Sequence, residues 1–495
     1  IRLRSSGLRA FKFLLEIGQC CNTKEIKMAY ADLREFLHRL EKEGELAHVR
    51  PLVEINYEIG AVCRKTLDLH GPALFFDNIR GHKIPLVVNL FATRRRYAMA
   101  IDTTPEELHR HWAEHTLRPI EPLLVKNGPC KENVVNGKDV DLAEFPIPIW
   151  NELDGGPYIT LPCHISKHPV TGSRNASTYR GQLHDSKTIG ILAAPYRHIA
   201  LHRNEALKRG EPLPVAIAIG VDPAITVASV ASFPYEVDEL AMAGALRGEP
   251  VELVPCETVP LEVPATSEVV IEGEIDPNEK IEEGLFGEFT GYYGIKMPRP
   301  IIKIKAITYR NNPIYAASYE GLPPHDTDLL MGVPIETEIL RLVPLPGIQK
   351  VHVTEGGCGA FNCIISVKKQ FEGYGKMIGM AALGTWGARY VKTLIVVDED
   401  VDPFNWTEVE WALATRVQPH RDVEILKDLV GCVLDPSLPL RERQTGHSRT
   451  SKMIIDATAY NANEFEIPCR PKPDVMEKVN REWAEYGIPA GPGRG

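Results

Sequence analysis

Glu283 and Glu288 stand five residues apart in Glu282-Glu283-Gly284-Leu285-Phe286-Gly287-Glu288-Phe289-Thr290-Gly291-Tyr292-Tyr293-Gly294, a run broken by four glycines. Two carboxylates so placed suit acid–base work, in which one group moves a proton and the other sets its electrostatics. The glycine density argues against a surface helix, since each glycine costs about 1 kcal/mol in a helix interior. A buried strand would carry these acids only with partners, because an unpaired buried carboxylate is expensive. Two readings remain. One is a polar surface loop. The other is a shaped loop that aims the carboxylates into a cavity between aromatic walls, where burial would make one of them a usable acid near neutral pH.

Such a loop needs a strand-rich frame. Residues 158–320 carry strand patterns at 215–219, 269–275, 301–309 and 314–317, interrupted by one helix over 236–247 that Gly248 ends. This predicts an antiparallel or mixed barrel. Upstream, Leu33, Phe36, Leu37 and Leu40 recur at helical spacing and predict a helix over 31–45. Strands are expected at 73–76 and 85–90, and a helix with Thr104 as N-cap and Pro105 in its first turn. Residues 126–157, rich in Pro, Asn, Asp and Gly, read as a linker. After residue 330 strands (351–354, 361–367, 393–397) alternate with helices (375–383, and 407–415 capped by Thr407), a second α/β unit.

The 495-residue length predicts two or three domains. Acids outnumber bases 66 to 56, a formal net charge of −10, which argues against a nucleic-acid partner. Ten dispersed cysteines include no Cys-x-x-Cys pair, so structural zinc and thioredoxin-like chemistry are not indicated, and inert thiols in a reducing cytoplasm are expected. Residues 1–27 hold six basic residues and only a short apolar patch; they read as a leader or upstream extension outside the fold, and no run is long enough to span a membrane. The Gly/Pro-rich tail, 487–495, is expected to be flexible. No dinucleotide fingerprint, P-loop or Gly-x-Ser-x-Gly elbow is present. Asp398-Glu-Asp-Val-Asp402 reads as a solvated strand end rather than a metal run.

Several segments, in order along the chain, carry a family resemblance. They are Pro72-Ala-Leu-Phe-Phe-Asp-Asn-Ile-Arg-Gly81, Asn127-Gly-Pro-Cys-Lys-Glu-Asn133, Asp154-Gly-Gly-Pro-Tyr158 and Asn175-Ala-Ser-Thr-Tyr-Arg180. Val263-Pro-Ala-Thr-Ser-Glu268, the 282–294 run and Ile395-Val-Val-Asp-Glu-Asp-Val401 complete them. From about Tyr30 to Ala490 the chain resembles the UbiD family of prenylated-FMN-dependent decarboxylases. The resemblance implies a central flavin-reductase-like split β-barrel (158–325) flanked by an N-terminal α/β part (28–125) and a C-terminal α/β oligomerisation part (326–486). It implies reversible non-oxidative decarboxylation of an aromatic or heteroaromatic acid, in a cytoplasmic homodimer or homohexamer supplied by a flavin prenyltransferase.

Residue by residue, it implies a catalytic set of Arg180, Glu283 and Glu288, with Arg180 orienting the substrate carboxylate and Glu288 as the protonating acid. Asn175, His198 and Glu239 would hold Mn²⁺ or Mg²⁺, hard-oxygen and imidazole donors suited to such ions, with Glu236 the rival to Glu239. A turn, a core histidine and a solvated helix face are the plainer readings of those three. Ser177, Thr178, Arg180, Pro195, His198, Ser229, Ser232 and Glu239 would contact the cofactor, with K⁺ near Ser229–Ser232 and Glu239. His325, Trp386 and His447 are substrate-side candidates, and Lys452 faces either the cleft or solvent. Trp386 stands where some members carry a lysine against the flavin, which favours a flat aromatic acid. Gly356-Gly-Cys-Gly-Ala360 lacks the lysine of dihydroxybenzoate-type members. Two other roles fit the same residues: the core subunit of a multi-component aryl carboxylase, and a non-catalytic flavin- or metal-binding scaffold.

Overall fold

The computed structural model describes residues 30–446, 448–461 and 464–488; the expected leader over 1–27, His447 and the tail from 489 lie outside the described residues. The described residues fold as a mixed α/β protein built on four sheets. The central sheet is antiparallel. Its strands run in the order Tyr158–Ile159, Gly181–Asp185, Thr188–Ile191, Met297–Tyr309, Val269–Glu283, Leu213–Ile219, Cys163–Lys167 and Arg174–Ser177, and Asn133–Asn136 also pairs with Met297–Tyr309. Residues 126–157, read from sequence as a linker, therefore contribute a strand, and they bury Phe145, Ile147 and Trp150.

The long hairpin Val269–Glu283/Met297–Tyr309 extends the two expected strands toward the site by several residues on each arm. Alternating Val269, Ile271 and Ile275 face Ile302, Ile304 and Ile307 in one apolar core. The expected strand at 314–317 exists as Tyr315–Ala316, but it pairs with Leu86–Val88 of the N-terminal sheet, not with the central one.

Three helices, not one, cross the central part: His198–Arg209, Pro223–Val230 and Glu239–Arg247. Pro223–Val230 is buried all round, so its sequence lacks amphipathic periodicity; Asp222 caps it, accepting from the Ala224 N–H, and Pro223 opens it. Glu239–Arg247 starts later than expected, at the Asp238 cap, and ends at left-handed Gly248 as read from sequence. The helix expected from Thr104 begins at Leu108, after a turn that Thr104 closes through the Glu107 N–H.

The C-terminal sheet runs Ile348–Val353, Asn362–Val367, Thr393–Asp398, Arg449–Ala457 and Val423–Val430. The helix Tyr374–Leu383 packs on it through Ile378 and Ala382. The helix Trp406–Arg416 is preceded by Asn405 rather than capped by Thr407. Asp398 and Asp400 are not simply solvated: both pair with Arg416, at 2.6 and 2.9 Å. Among the described residues no helix is long and apolar enough to cross a membrane.

Candidate active site

Arg180 precedes the strand Gly181–Asp185, and Glu283 is the last residue of Val269–Glu283. Glu283 is buried at the end of a strand whose preceding residues, 280–282, are exposed, and partners explain why the acid is tolerated there. Arg180 Nε and Nη2 reach its two oxygens at 2.9 and 3.1 Å. Arg299 Nε, from the neighbouring strand, adds a third bond at 3.0 Å. The bidentate fork makes this a charge-assisted, geometrically fixed pair.

Glu288 follows in the loop, where its N–H donates to the Tyr292 carbonyl, and its Oε1 accepts from Arg180 Nη1 at 2.5 Å. One guanidinium therefore bridges both acids, and it also lies 5.1 Å from the centre of the Phe286 ring. The glycines make room. A Cβ on Gly294 would stand 2.5 Å from Glu288 Oε1, and one on Gly284 would stand 2.5 Å from the Gly155 Cα.

The acids differ in what surrounds them. Glu283 has two arginines, whereas Glu288 has a share of one. Burial pushes the Glu288 carboxyl up to about 7; Arg180 opposes this, and Glu283 and Glu320 add to it. Arg180 itself is pulled down by burial, but Glu283 and Glu288 outweigh that and hold it above its usual range. An acid poised near neutrality beside a permanent cation can donate or accept a proton at physiological pH.

Arg180, Glu288, Phe286 and Phe289 line a cavity of about 230 Å³ that is also lined by residues of the helix Asp326–Leu342, the turn Gly387–Tyr390 and residues 432–434. Thr178, Tyr179, Tyr196, Arg197, Ser232 and Arg389 continue the wall. Five of its residues, Tyr179, Tyr196, Arg197, Ser232 and Arg389, also border a smaller pocket containing Ser177, His198 and Glu239. One cleft therefore links the acid pair to the expected metal set.

Glu239 is buried at the start of its helix; its Oε2 accepts from the Ala176 N–H at 2.9 Å, and His198 Nδ1 stands 3.5 Å from its Oε1. Ser177 Oγ joins Asn175 Oδ1 at 3.0 Å to Glu239 Oε1 at 3.4 Å, which brings Asn175, His198 and Glu239 together. Glu236, the rival, is exposed. Asn175 Nδ2 is buried without a partner among the described residues.

The other candidates fall into two groups. Ser177, Thr178 and Ser232 border the cleft. Ser229 is buried behind it, bonded to Thr178 and the Thr226 carbonyl, and Pro195 is exposed beside it. His325 does not line the cavity: its Nε2 is 3.1 Å from the Phe289 carbonyl, and it is buried behind the wall. Trp386 is 55% exposed and stacks under the Arg389 guanidinium; it does not line the acid cavity but borders both the outer groove and the smaller pocket with Ser177, His198 and Glu239. Lys452 faces neither cleft nor solvent. It is buried, donates to the Ala388 and Arg389 carbonyls, and burial pulls it down to about 8, with nearby Arg389 adding to the effect.

Sequence reasoning missed Glu320, Arg299, Arg197 and Arg389. Arg299 was recoverable, since it lies across the hairpin opposite Ile281, two residues before Glu283. Glu320 directly precedes Gly321-Leu-Pro-Pro-His325 but carries no local signal of burial.

Three family models match the chain in this order. They are the N-terminal domain of 3-octaprenyl-4-hydroxybenzoate carboxy-lyase, UbiD (37–116), its Rift-related domain (123–323) and its C-terminal domain (328–457). The chain is 38% identical over 456 residues to a phenolic acid decarboxylase of Bacillus subtilis, covering 88% of this chain and 94% of that one. The UbiD-class enzyme HmfF from Pelotomaculum thermopropionicum, solved with FMN, matches at 37% identity and TM-score 0.83, covering 91% of this chain and 99% of that one. An evolved dimeric form of HmfF, solved with prFMN, matches at 36% and 0.81, covering 90% and 98%. Vanillic acid decarboxylase from Sedimentibacter hydroxybenzoicus, in closed form, matches at 35% and 0.80, covering 93% and 99%.

Proposed function

The chain belongs to the UbiD family, and on that premise we propose that it is a carboxy-lyase that reversibly decarboxylates an aromatic or heteroaromatic acid with prenylated FMN. One observation carries the reading: Arg180 ties Glu283 and Glu288 into a single buried network at a cavity, with Glu288 poised near neutral pH. We take the antiparallel central sheet with its crossing helices as the flavin-binding split barrel, joined to the N- and C-terminal α/β parts at 28–125 and 326–486.

The residues of the cleft fit the cofactor. Arg197 and Arg389 border it; Arg197 lies over the Tyr179 ring, Arg389 donates to the Trp386 carbonyl and the Ser232 hydroxyl, and neither pairs with a carboxylate among the described residues, which suits an anionic phosphate. Asn175, His198 and Glu239 would hold Mn²⁺ or Mg²⁺, whose charge would help to neutralise an anionic phosphate in the same cleft, and K⁺ would sit near Ser229–Ser232. When bound, the cofactor supplies an electron sink for the charge left on carbon as CO₂ departs. Arg180 then holds the substrate carboxylate, Glu283 holds Arg180, and Glu288 delivers the proton that replaces CO₂ on the ring. Proton and charge balance: a carboxylate plus H⁺ gives CO₂ and the C–H product. The reverse direction needs Glu288 ionised to remove that proton. A non-catalytic scaffold would have no need of this costly buried network.

We further read the protein as a cytoplasmic homo-oligomer, loaded by a flavin prenyltransferase. The test of the function is to co-express it with such a transferase, purify it anaerobically and follow CO₂ release from a panel of aromatic acids. Turnover with bound prenylated FMN supports the reading. Loaded protein inert toward the whole panel, in both directions, defeats it.

Two expectations follow from the titrating and metal-binding groups. Because the Glu288 carboxyl titrates near 7 and must be protonated to donate, kcat/KM for decarboxylation is constant below that value and falls about tenfold per pH unit above it. A profile flat to pH 9 would remove Glu288 as the donor. Replacing Glu239 by Ala deletes one of the three metal donors and the bond to the Ala176 N–H. Elemental analysis after desalting should find Mn²⁺ on the parent protein and little on the variant; equal retention would place the metal elsewhere.

A further inference from the structure

Strand alternation on Arg449–Ala457 turns Thr450, Lys452 and Ile454 to the buried face, where packing alone would ask for an apolar residue at 452. Lys452 is 2% exposed and pairs with no carboxylate among the described residues. A buried ammonium without a counter-ion is costly, and burial, with Arg389 adding to it, draws this one down to about 8. Its hydrogen bonds show what offsets the cost. Nζ donates to the Arg389 carbonyl at 2.8 Å and to the Ala388 carbonyl at 3.1 Å. Lys452 lines neither the acid cavity nor the pocket with His198 and Glu239, and nothing in the reaction as described uses it.

Both carbonyls belong to the turn Gly387–Tyr390, which is held at its two ends. At its start the Gly387 N–H donates to Glu338 Oε1 at 2.8 Å, and a Cβ on Gly387 would stand 2.8 Å from Glu338 Oε2. At its end Lys452 gathers two carbonyls of the kind that the last residues of a short helical turn leave short of partners. The turn carries two side chains that reach across to the central part. Arg389 Nη2 donates to the Ser232 hydroxyl at 3.0 Å, and the Tyr390 hydroxyl meets that of Tyr196 at 2.6 Å. Arg389 Nη1 donates back to the Trp386 carbonyl at 2.9 Å, and its guanidinium lies 4.5 Å from the centres of both the Trp386 and Tyr390 rings. The direction of Arg389 is therefore set by the turn's own backbone and side chains, and Lys452 anchors that backbone from behind.

We infer that Lys452 is a positioning residue: by bonding the Ala388 and Arg389 carbonyls it holds Arg389 where it meets the flavin phosphate, and so sets cofactor affinity through Arg389. This rests on the reading of Arg389 as a phosphate contact above. A lysine suits the task, because one ammonium can donate to two carbonyls, whereas an apolar or acidic side chain in its place would donate to neither. Loss of Lys452 should then weaken a flavin that carries the phosphate and spare one that lacks it.

The test uses the full chain freed of flavin, with Mn²⁺ present throughout. It measures dissociation constants of FMN and of riboflavin by quenching of flavin fluorescence, with melting temperature as the control. The parent should bind FMN about 100-fold or more tighter than riboflavin, as charge-assisted bonds to a phosphate imply. Lys452→Met, which cannot donate, should cut that preference about tenfold and leave riboflavin binding within about twofold of the parent. Arg389→Met should cut it at least as far, and adding Lys452→Met to Arg389→Met should cost little more, because a residue that acts through Arg389 has nothing left to position. Lys452→Gln, which keeps N–H donors on a shorter stem, should fall between parent and Lys452→Met, and it carries the same comparison should Lys452→Met fail to fold. A preference unchanged in Lys452→Met, an equal weakening of both flavins, or a second tenfold loss on top of Arg389→Met would overturn the inference and leave the phosphate reading standing. A parent without preference for FMN, or an Arg389→Met variant that keeps all of it, would defeat the phosphate reading and the inference with it. CO₂ release by the loaded parent judges the decarboxylase reading separately.

Discussion

Replacing Glu288 by Gln lowers decarboxylation by about 10²–10⁴-fold, the range for loss of a positioned proton donor. The amide keeps the shape and still accepts from Arg180 Nη1, so the network geometry and flavin loading survive. The deficit should fall on kcat and kcat/KM alike, because the proton is delivered only in the transition state. Carboxylation should fail in step, since the same group must remove the ring proton in reverse. The check is steady-state kinetics on parent and variant with matched flavin content. Turnover within threefold of the parent would remove Glu288 from the mechanism.

Replacing Arg180 by Met removes the cation that both acids share. Glu283 keeps Arg299, but Glu288 loses its arginine bond in a site where it is 3% exposed. Breaking a buried pair in this way costs about 3–5 kcal/mol, toward the low end here because Glu288 can escape by taking up a proton. The melting temperature of the protein without flavin should therefore fall, and more at pH 8 than at pH 5. The sign follows from Glu288: in the parent burial raises its carboxyl to about 7 with Arg180 lowering it, so above that pH the parent gains from the ion pair, whereas the variant must hold the acid uncompensated or take up a proton; below it Glu288 is neutral in both. Activity should drop by about 10²–10³-fold, through both substrate binding and transition-state electrostatics. Arg180→Lys should rescue little, because a single ammonium cannot serve Glu283 bidentately and Glu288 at once. An unchanged melting temperature with full activity would contradict the role given to Arg180.

The legible part of this protein was the part encoded locally. The carboxylate spacing and glycines of 282–294 imply a tight, cavity-facing loop, and the structure gives Gly294 and Gly284 contacts that a Cβ would occupy. Gly248 marked a helix end, and Leu33 to Leu40 marked a buried helical face. What escaped was set by distant contacts. Pro223–Val230 is buried on every side, so no periodicity betrays it as a helix. Tyr315–Ala316 looks like any strand, and only tertiary pairing assigns it to the N-terminal sheet. His325 and Trp386 have the chemistry of substrate contacts, yet one is buried behind the wall and the other borders the metal-side pocket and the outer groove rather than the acid cavity. Glu320 is the converse. Its residue type suggested a surface, and only the fold shows it buried beside Ser318 and Thr327.

Isotope exchange shows whether the Arg180–Glu283–Glu288 network performs reversible decarboxylation. The loaded protein is incubated with an aromatic acid and ¹³C-bicarbonate, and the carboxylate is examined by mass spectrometry. Label should enter the acid with the parent protein, and almost none with Glu288→Gln at equal flavin content. Exchange that persists undiminished in that variant, or is absent from the loaded parent with every acid tried, would contradict it.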